Sequence, residues 1–428
     1  MTPRQQRAAW AALVILGVLL PFAPAVVGLR TLSFRDTDQL YAPVRTLVVE
    51  ALRDFRLPLW NPYEATGKPL FAEGIHSVLH PLSLLAAFVA PSSIDFLILA
   101  YLVAAALGAF VLARTFEASA PASAGAGVGF ALSGYSVSMT GNLVFLAGLS
   151  SLPWLLAAAR SAGRGDRWGI VLTALATGSA FFSGDVQVTL VGLVLGLLLA
   201  LDAGGLRGAA RALQGFAPGI LLATVQLLAS LELLPLTLRG EELSDLEKTL
   251  WALAPARLLE WVVPGLFRGP LSEIPTAASG AWLDRVFSES VYLGAPLLVA
   301  AGIGGSSLVA TSRRRTGLLL IGAGLVLLWL GLGHHLGARQ LLDRIPIWNR
   351  FRYSEKLMAP LALCLAILAA LGIDAFGAKR LSARWKRGMA LAALSAATAL
   401  WVLWSAPAST ASLATQLLGD AGPFYRES

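Results

Sequence analysis

The sequence is poor in charge, in cysteine and in histidine, and each scarcity removes a class of protein. Only 14% of its 428 residues are charged, against about a quarter in a soluble domain. With 56% hydrophobic residues and a mean hydropathy of +0.70, folding in water would leave too little polar surface to cover the core. Cys364 is the single cysteine and sits in an apolar run, which excludes an intramolecular disulfide framework and any multi-cysteine metal centre. There is no Gly-rich phosphate loop ending in Gly-Lys-Ser/Thr, no Gly-x-Ser-x-Gly elbow and no His-Glu-x-x-His pair, which argues against a nucleotide-hydrolysing pump within this chain. The net charge of +8 comes from short basic clusters between apolar runs. No basic stripe interleaved with aromatics appears, so nucleic acid is not an expected partner and the lipid bilayer is.

What is present is a series of apolar runs long enough to cross a bilayer, which takes roughly 20 residues. They fall at roughly 9–29, 94–113, 122–140, 143–160, 168–184, 186–203, 213–235, 291–310, 317–333, 357–376 and 388–405, predicting an all-α polytopic membrane protein of about eleven transmembrane helices in one membrane domain, 1–428. The run 78–90 is too short and ends at Pro91, which fits an interfacial or re-entrant helix. Residues 1–25 carry signal-peptide features, with Arg4, Arg7 and Ala23-Pro24-Ala25, but the run continues to Leu29 and can span.

Alternate connections hold Arg4 and Arg7, Arg114, Arg160/Arg164/Arg167, Arg207/Arg211, Arg313/Arg314/Arg315 and the bases of 379–387, with few acids among them. Short positive loops mark the cytoplasmic side, which predicts a cytoplasmic N-terminus and, after eleven spans, a C-terminus on the opposite side. That opposite face takes the long segments of about 30–80, 236–290 and 334–356. Trp251, Trp261 and Trp282 with several prolines suggest short interfacial helices in the second of these.

Candidate chemistry concentrates in the outer segments. Asp36 and Asp38 follow the first span, where a bent backbone would aim both at one point. Such a pair can hold a divalent cation, Mg or Mn, or supply a base and its helper; it can also be a solvated loop start neutralised by Arg35. Glu73, His76 and His80 have helical spacing, suited to a metal or to sugar hydroxyls, although Pro81 disfavours a helix at His80 and structural histidines are the simpler reading. Arg350, Arg352 and Lys356 lie on the side the charge rule disfavours, which asks for an anion; snorkelling anchors are the alternative. Asp185 and Gln187, and Glu232 followed by Arg239, sit near predicted membrane boundaries.

The ordered set Asp36 and Gln39; Pro58-Leu59-Trp60-Asn61-Pro62 with Gly67-x-Pro69; His80-Pro81; Leu132-Ser133-Gly134-Tyr135; Ser183-Gly184-Asp185-x-Gln187; Gln226 with Glu232-Leu233-Leu234-Pro235; Tyr292-Leu293-Gly294; and Pro346 with Phe351-Arg352-Tyr353 resembles the YfhO-like bacterial membrane proteins, a branch of the GT-C glycosyltransferase superfamily. The resemblance runs over about residues 15–375. It implies a GT-C-like bundle and an inverting transferase of the bacterial inner membrane, using a polyprenyl-phosphate sugar donor at the periplasmic face. A glycan, lipid or protein would be the acceptor. Asp36 matches the family's first-loop acid, a catalytic base or metal holder, with Asp38 as its helper. The implied phosphate-binding cations are Arg350, Arg352, Lys356 and Arg239, and Gln39, Trp60, Asn61, Glu73, His76, His80, Asp185 and Gln187 are the substrate-binding candidates. One departure is the tail 406–428, too short to form the large soluble outer domain of many members. Two further classes stay open at this stage: a transporter or flippase for a lipid-linked glycan, and a non-catalytic glycan-binding membrane subunit.

Overall fold

A computed structural model describes residues 3–237, 240, 243–264, 287–345 and 348–377; the expected span at 388–405, together with Arg239, Trp282 and Pro346, lies outside the described residues. The described chain is mostly helical. Its only strands are Trp60–Asn61 and Lys68–Pro69, paired antiparallel with Trp60 opposite Pro69.

Among the described residues six helices are long and apolar enough to cross a membrane: Ala8–Val26, Ile94–Thr115, Leu143–Arg164, Val186–Leu236, Arg314–Gly331 and Ser354–Gly377. The protein is therefore an all-α chain with multi-pass membrane character. Val186–Leu236 is 51 residues long, far more than one crossing requires. It breaks at Gly204 and at Gly205 (φ 60°, ψ −152°), a conformation open only to glycine, and the chain reverses there. Shorter apolar helices, Gly169–Phe182 and Ala295–Val309, pack among the long ones. The run expected as a single span over 122–140 is instead two pieces, Ala120–Ala131 and Gly134–Ser138. Ser133 caps the second piece, and the Gly134 amide donates to the Tyr292 carbonyl at 2.7 Å. A distant loop thus takes the hydrogen bond that would have continued the helix. The short run after His80 is the helix Pro81–Val89, as its length and its prolines anticipate.

Burial separates centre from rim. In Leu143–Arg164, 89% of the apolar window is buried, against 11% in Ala8–Val26, so the first helix lies at the periphery with most of its side chains outward. Ala295–Val309 and Met358–Gly377 approach most closely. A Cβ at Gly304 would overlap the Leu368 carbonyl, and one at Gly372 would overlap the Ala300 carbonyl, the small-residue contact typical of helices packed in lipid.

Successive helices alternate in direction, giving the bundle two unlike ends. One end has short connections. There Arg160 pairs with Asp202 at 2.9 Å, Thr316 bonds the same carboxylate, Arg164 bonds the Thr115 carbonyl, and Ser119 bonds Asp374. The other end carries 27–93, 132–142, 183–185, 234–237, 243–264, 287–294, 332–345 and 348–357. These segments lock to one another through Leu32 to Asp95, Ser77 to Ser183, Leu253 to Gly331 and Glu355 to Trp251.

The glycine contact gives a paired test. Gly304→Ala should lower the unfolding temperature of the detergent-solubilised protein, by an overpacking cost of about 1–3 kcal/mol. Gly302→Ala, whose Cβ would meet nothing within 4 Å, should leave it unchanged; equal effects would refute the close packing.

Candidate functional site

Beyond the first span the chain turns at Arg35, a non-glycine residue at φ 51°. It then winds one wide helical turn, Thr37–Tyr41, into the helix Ala42–Arg53. This turn is seated on residues 139–144. The Arg35 Nη1 donates to the Phe287 carbonyl at 2.6 Å, and Thr37 Oγ1 to the Thr140 carbonyl at 3.3 Å. Asp36 Oδ2 accepts from Asn142 Nδ2 at 2.7 Å, and Asn142 Oδ1 accepts from the Tyr41 hydroxyl at 2.8 Å. Tyr41 in turn accepts from the Val144 amide. The chain is directional: burial pushes the Tyr41 hydroxyl well above the usual tyrosine range, so it stays a donor and fixes the orientation of the Asn142 amide. Only Oδ2 of half-buried Asp36 is engaged in a hydrogen bond among the described residues. Oδ1 is left to accept a proton.

Behind this carboxylate lies an aromatic cluster. Phe287 stacks on Tyr353 at 5.2 Å, Trp251 meets Tyr353 edge-on at 4.5 Å, and Phe145 meets Phe287 edge-on at 5.2 Å. The Lys356 ammonium sits 3.9 Å from the Phe145 ring centre and 3.4 Å from Asp185 Oδ1. The preceding residue, Glu355, points elsewhere, to Arg257 at 2.8 Å and to the Ser288 amide at 3.1 Å, while Arg257 also pairs with Glu260 at 3.0 Å. Glu355 and Lys356 both lie on the helical turn Ser354–Leu357, which Tyr353 opens at φ 66°, and its winding turns adjacent side chains to different faces. Strained backbone on either side of the cluster, at Arg35 and Tyr353, is the kind of feature that collects at functional sites.

The expected site residues divide into three groups. Asp185 and Lys356 meet at the cluster, and Asp36 is tied to it through its neighbour Arg35, which bonds the Phe287 carbonyl. Asp185 Oδ2 and Gln187 Oε1 are buried there without a hydrogen-bond partner, so both are acceptors open to a donor. Asp38 and Gln39 are exposed, and Asp38 takes the Ser33 hydroxyl instead of joining Asp36. The helical winding of Thr37–Tyr41 is the reason, because residues two apart on a helix point away from each other. Among the described residues no three His, Cys, Asp or Glu side chains gather where they could hold a metal ion. Asp36 and Asp38 turn to different partners, Asn142 and Ser33, so the two carboxylates are not seen converging on one point.

The remaining candidates have local partners. Exposed Trp60 packs its ring on Gly67 (φ 105°), and Asn61 caps the hairpin by accepting from the Tyr63 amide. Glu73 pairs with Lys68 at 3.0 Å. His76 Nε2 lies 3.7 Å from Glu73 and its ring meets Tyr41 edge-on at 6.0 Å. His80 goes elsewhere: a turn through Ser77 at φ 49° replaces the helix that would have aligned the two histidines. Its Nε2 faces Ser151 at 2.9 Å and its Nδ1 accepts from the Leu82 amide, capping Pro81–Val89. The outer cations do not form one cluster. Arg350 is exposed, Arg352 pairs with Glu247 at 2.6 Å and Lys356 with Asp185.

Sequence reasoning missed Asn142, Tyr41, Arg257 and Glu355. Each makes its decisive bond across a long sequence separation or lies in a stretch with no motif. A partial signal existed: Asn142 stands directly before an apolar run, at its helix boundary.

His80 supplies a pH test. Burial pushes its imidazole down to about 3, so it stays neutral in the fold while an unfolded histidine protonates near 6.5. The stability it contributes is complete above that value and is lost as pH falls below it, at up to about 1.4 kcal/mol per pH unit. Between pH 6.5 and 5 the wild-type unfolding temperature should fall, and His80→Asn should flatten that slope; an unchanged slope would contradict the assignment. Scanned against protein-family models and searched against curated proteins, the chain gives no match.

Proposed function

We propose that the protein is an inverting membrane glycosyltransferase of the GT-C kind, related to the YfhO-like proteins. In this reading eleven spans place the N-terminus in the cytoplasm and the loop-rich end at the periplasmic face of a bacterial inner membrane. The orientation is supported by the arginines of the short-loop end, Arg114, Arg160, Arg164, Arg167, Arg207, Arg211 and Arg313, under the positive-inside rule. The observation that carries the reading is Asp36: a carboxylate just past the first span, oriented through one oxygen by Asn142 and open at the other.

The chemistry follows from that arrangement. An acceptor hydroxyl attacks the anomeric carbon of a polyprenyl-phosphate sugar on the face opposite the phosphate. The new C–O bond forms as the bond to the phosphate oxygen breaks, which inverts the centre. The hydroxyl proton passes to Asp36 Oδ1, and the phosphate leaves as an anion, needing no general acid. Asn142 stabilises the charged base before transfer. Lys356 is committed to Asp185 and Arg352 to Glu247, so the candidate cation left to meet the donor phosphate at the rim is exposed Arg350, with Arg239 beyond the described residues. Asp185 Oδ2 and Gln187 Oε1 are suited to accept hydrogen bonds from sugar hydroxyls.

The two first-loop acids make the test. With a radiolabelled polyprenyl-phosphate sugar and membranes holding equal amounts of protein, Asp36→Asn should cut transfer by about 10²-fold or more. Asp38→Asn, at an exposed residue bonded to Ser33, should keep most of it. Full activity in Asp36→Asn would exclude Asp36 as the base.

A further inference from the structure

Arg45 is the unusual arginine of this structure. The helix Ala42–Arg53 buries it among Val44, Val48, Val49 and Leu52. The other buried arginines described each face a carboxylate: Arg160 faces Asp202, Arg257 faces Glu260 and Glu355, and Arg339 faces Asp343. Among the described residues Arg45 has no such partner, and its Nε and Nη2 are buried without any hydrogen bond.

The identity of those two atoms matters. Nε–H and Nη2–H lie on one edge of the guanidinium plane and point the same way. That edge is the fork that takes two oxygens of a carboxylate or phosphate side-on. Its surroundings are polar on one side. The nearby hydroxyls of Tyr101 and Ser83 bond each other at 2.9 Å. A buried guanidinium without a counter-charge is costly, and burial holds its pKa below the usual guanidinium value. A bound oxyanion would remove that cost. Beside a bilayer, lipid headgroups make phosphate the abundant oxyanion.

We infer that Arg45 anchors a phosphate-binding site in the first loop, its side-on edge holding two phosphate oxygens. The group belongs either to a lipid head or to a free phosphate. The inference does not depend on glycosyl transfer, since it concerns a residue given no part in the reaction and is read by binding.

The test uses the full-length protein in detergent, with inorganic phosphate or dioleoyl phosphatidic acid as the probe. Thermal unfolding and lipid retention in native mass spectrometry are the readouts. Phosphatidic acid should raise the wild-type midpoint, and Arg45→Gln should remove that rise and weaken retention on the order of tenfold or more. A matching rise with inorganic phosphate assigns the site to free phosphate; a rise with the lipid alone assigns it to a lipid head. Without either probe, Arg45→Met should be as stable as wild type or more so, because it removes an uncompensated charge. The inference is overturned if neither probe stabilises the wild type, if Arg45→Gln keeps the full response, or if Arg45→Met is destabilised or fails to fold in probe-free detergent while Arg45→Lys folds normally.

Discussion

The hydrogen-bonded series Asp36–Asn142–Tyr41 is the contact on which the loop-rich end depends. A long segment leaving a membrane helix has many backbone and side-chain groups to satisfy, and water reaches them only from one side. Here the first loop satisfies them against the helix tips. Thr37 and Asp36 bond the turn before Leu143–Arg164, Ser77 bonds the carbonyl of Ser183, and Gln226 and Ser230 bond the carbonyls of Phe71 and Ala72. A flexible connection thereby becomes a rigid cover, and the carboxylate that leads it acquires a fixed direction.

The last described loop is held by charge. Glu355 and Lys356 are adjacent yet reach opposite partners, Arg257 and Asp185, across separations of 98 and 171 residues. Both pairs are buried, so losing one partner would strand the other, at about 3–5 kcal/mol. Such pairs add little net stability over an apolar equivalent, but they admit only one arrangement of the segments they join. The aromatic side chains between them, Phe145, Phe287, Tyr353 and Trp251, shield the Lys356 ammonium and link it to the segment that Arg35 holds. First and last loops are thus coupled through one cluster.

The features legible in the sequence were those written locally. Apolar runs gave the long helices to within a few residues, Pro81 marked its helix start, and arginines marked the short-loop end. The features that stayed hidden depend on partners far along the chain. Nothing near Leu132 signals a break, because the bond that makes it comes from Tyr292. Lys356 reads as an outward cation until Asp185 is placed beside it. Asp36 and Asp38 read as a pair only while the segment is taken as a bent loop; the helical winding of Thr37–Tyr41 turns them apart. Arg45 carried no signal at all, since an arginine in an amphipathic helix is ordinarily on its wet face.

The central claim is that Asn142 and Asp36 act as one unit, so that the carboxylate is positioned by the fold and does not float in a loop. A double-mutant cycle of Asp36→Ala and Asn142→Ala on the unfolding free energy of the purified protein measures this directly. The account predicts a coupling of about 1–3 kcal/mol, with the double variant little worse than either single one. Strict additivity of the two losses would show that the bond is not made, and would remove the basis for treating Asp36 as an oriented base.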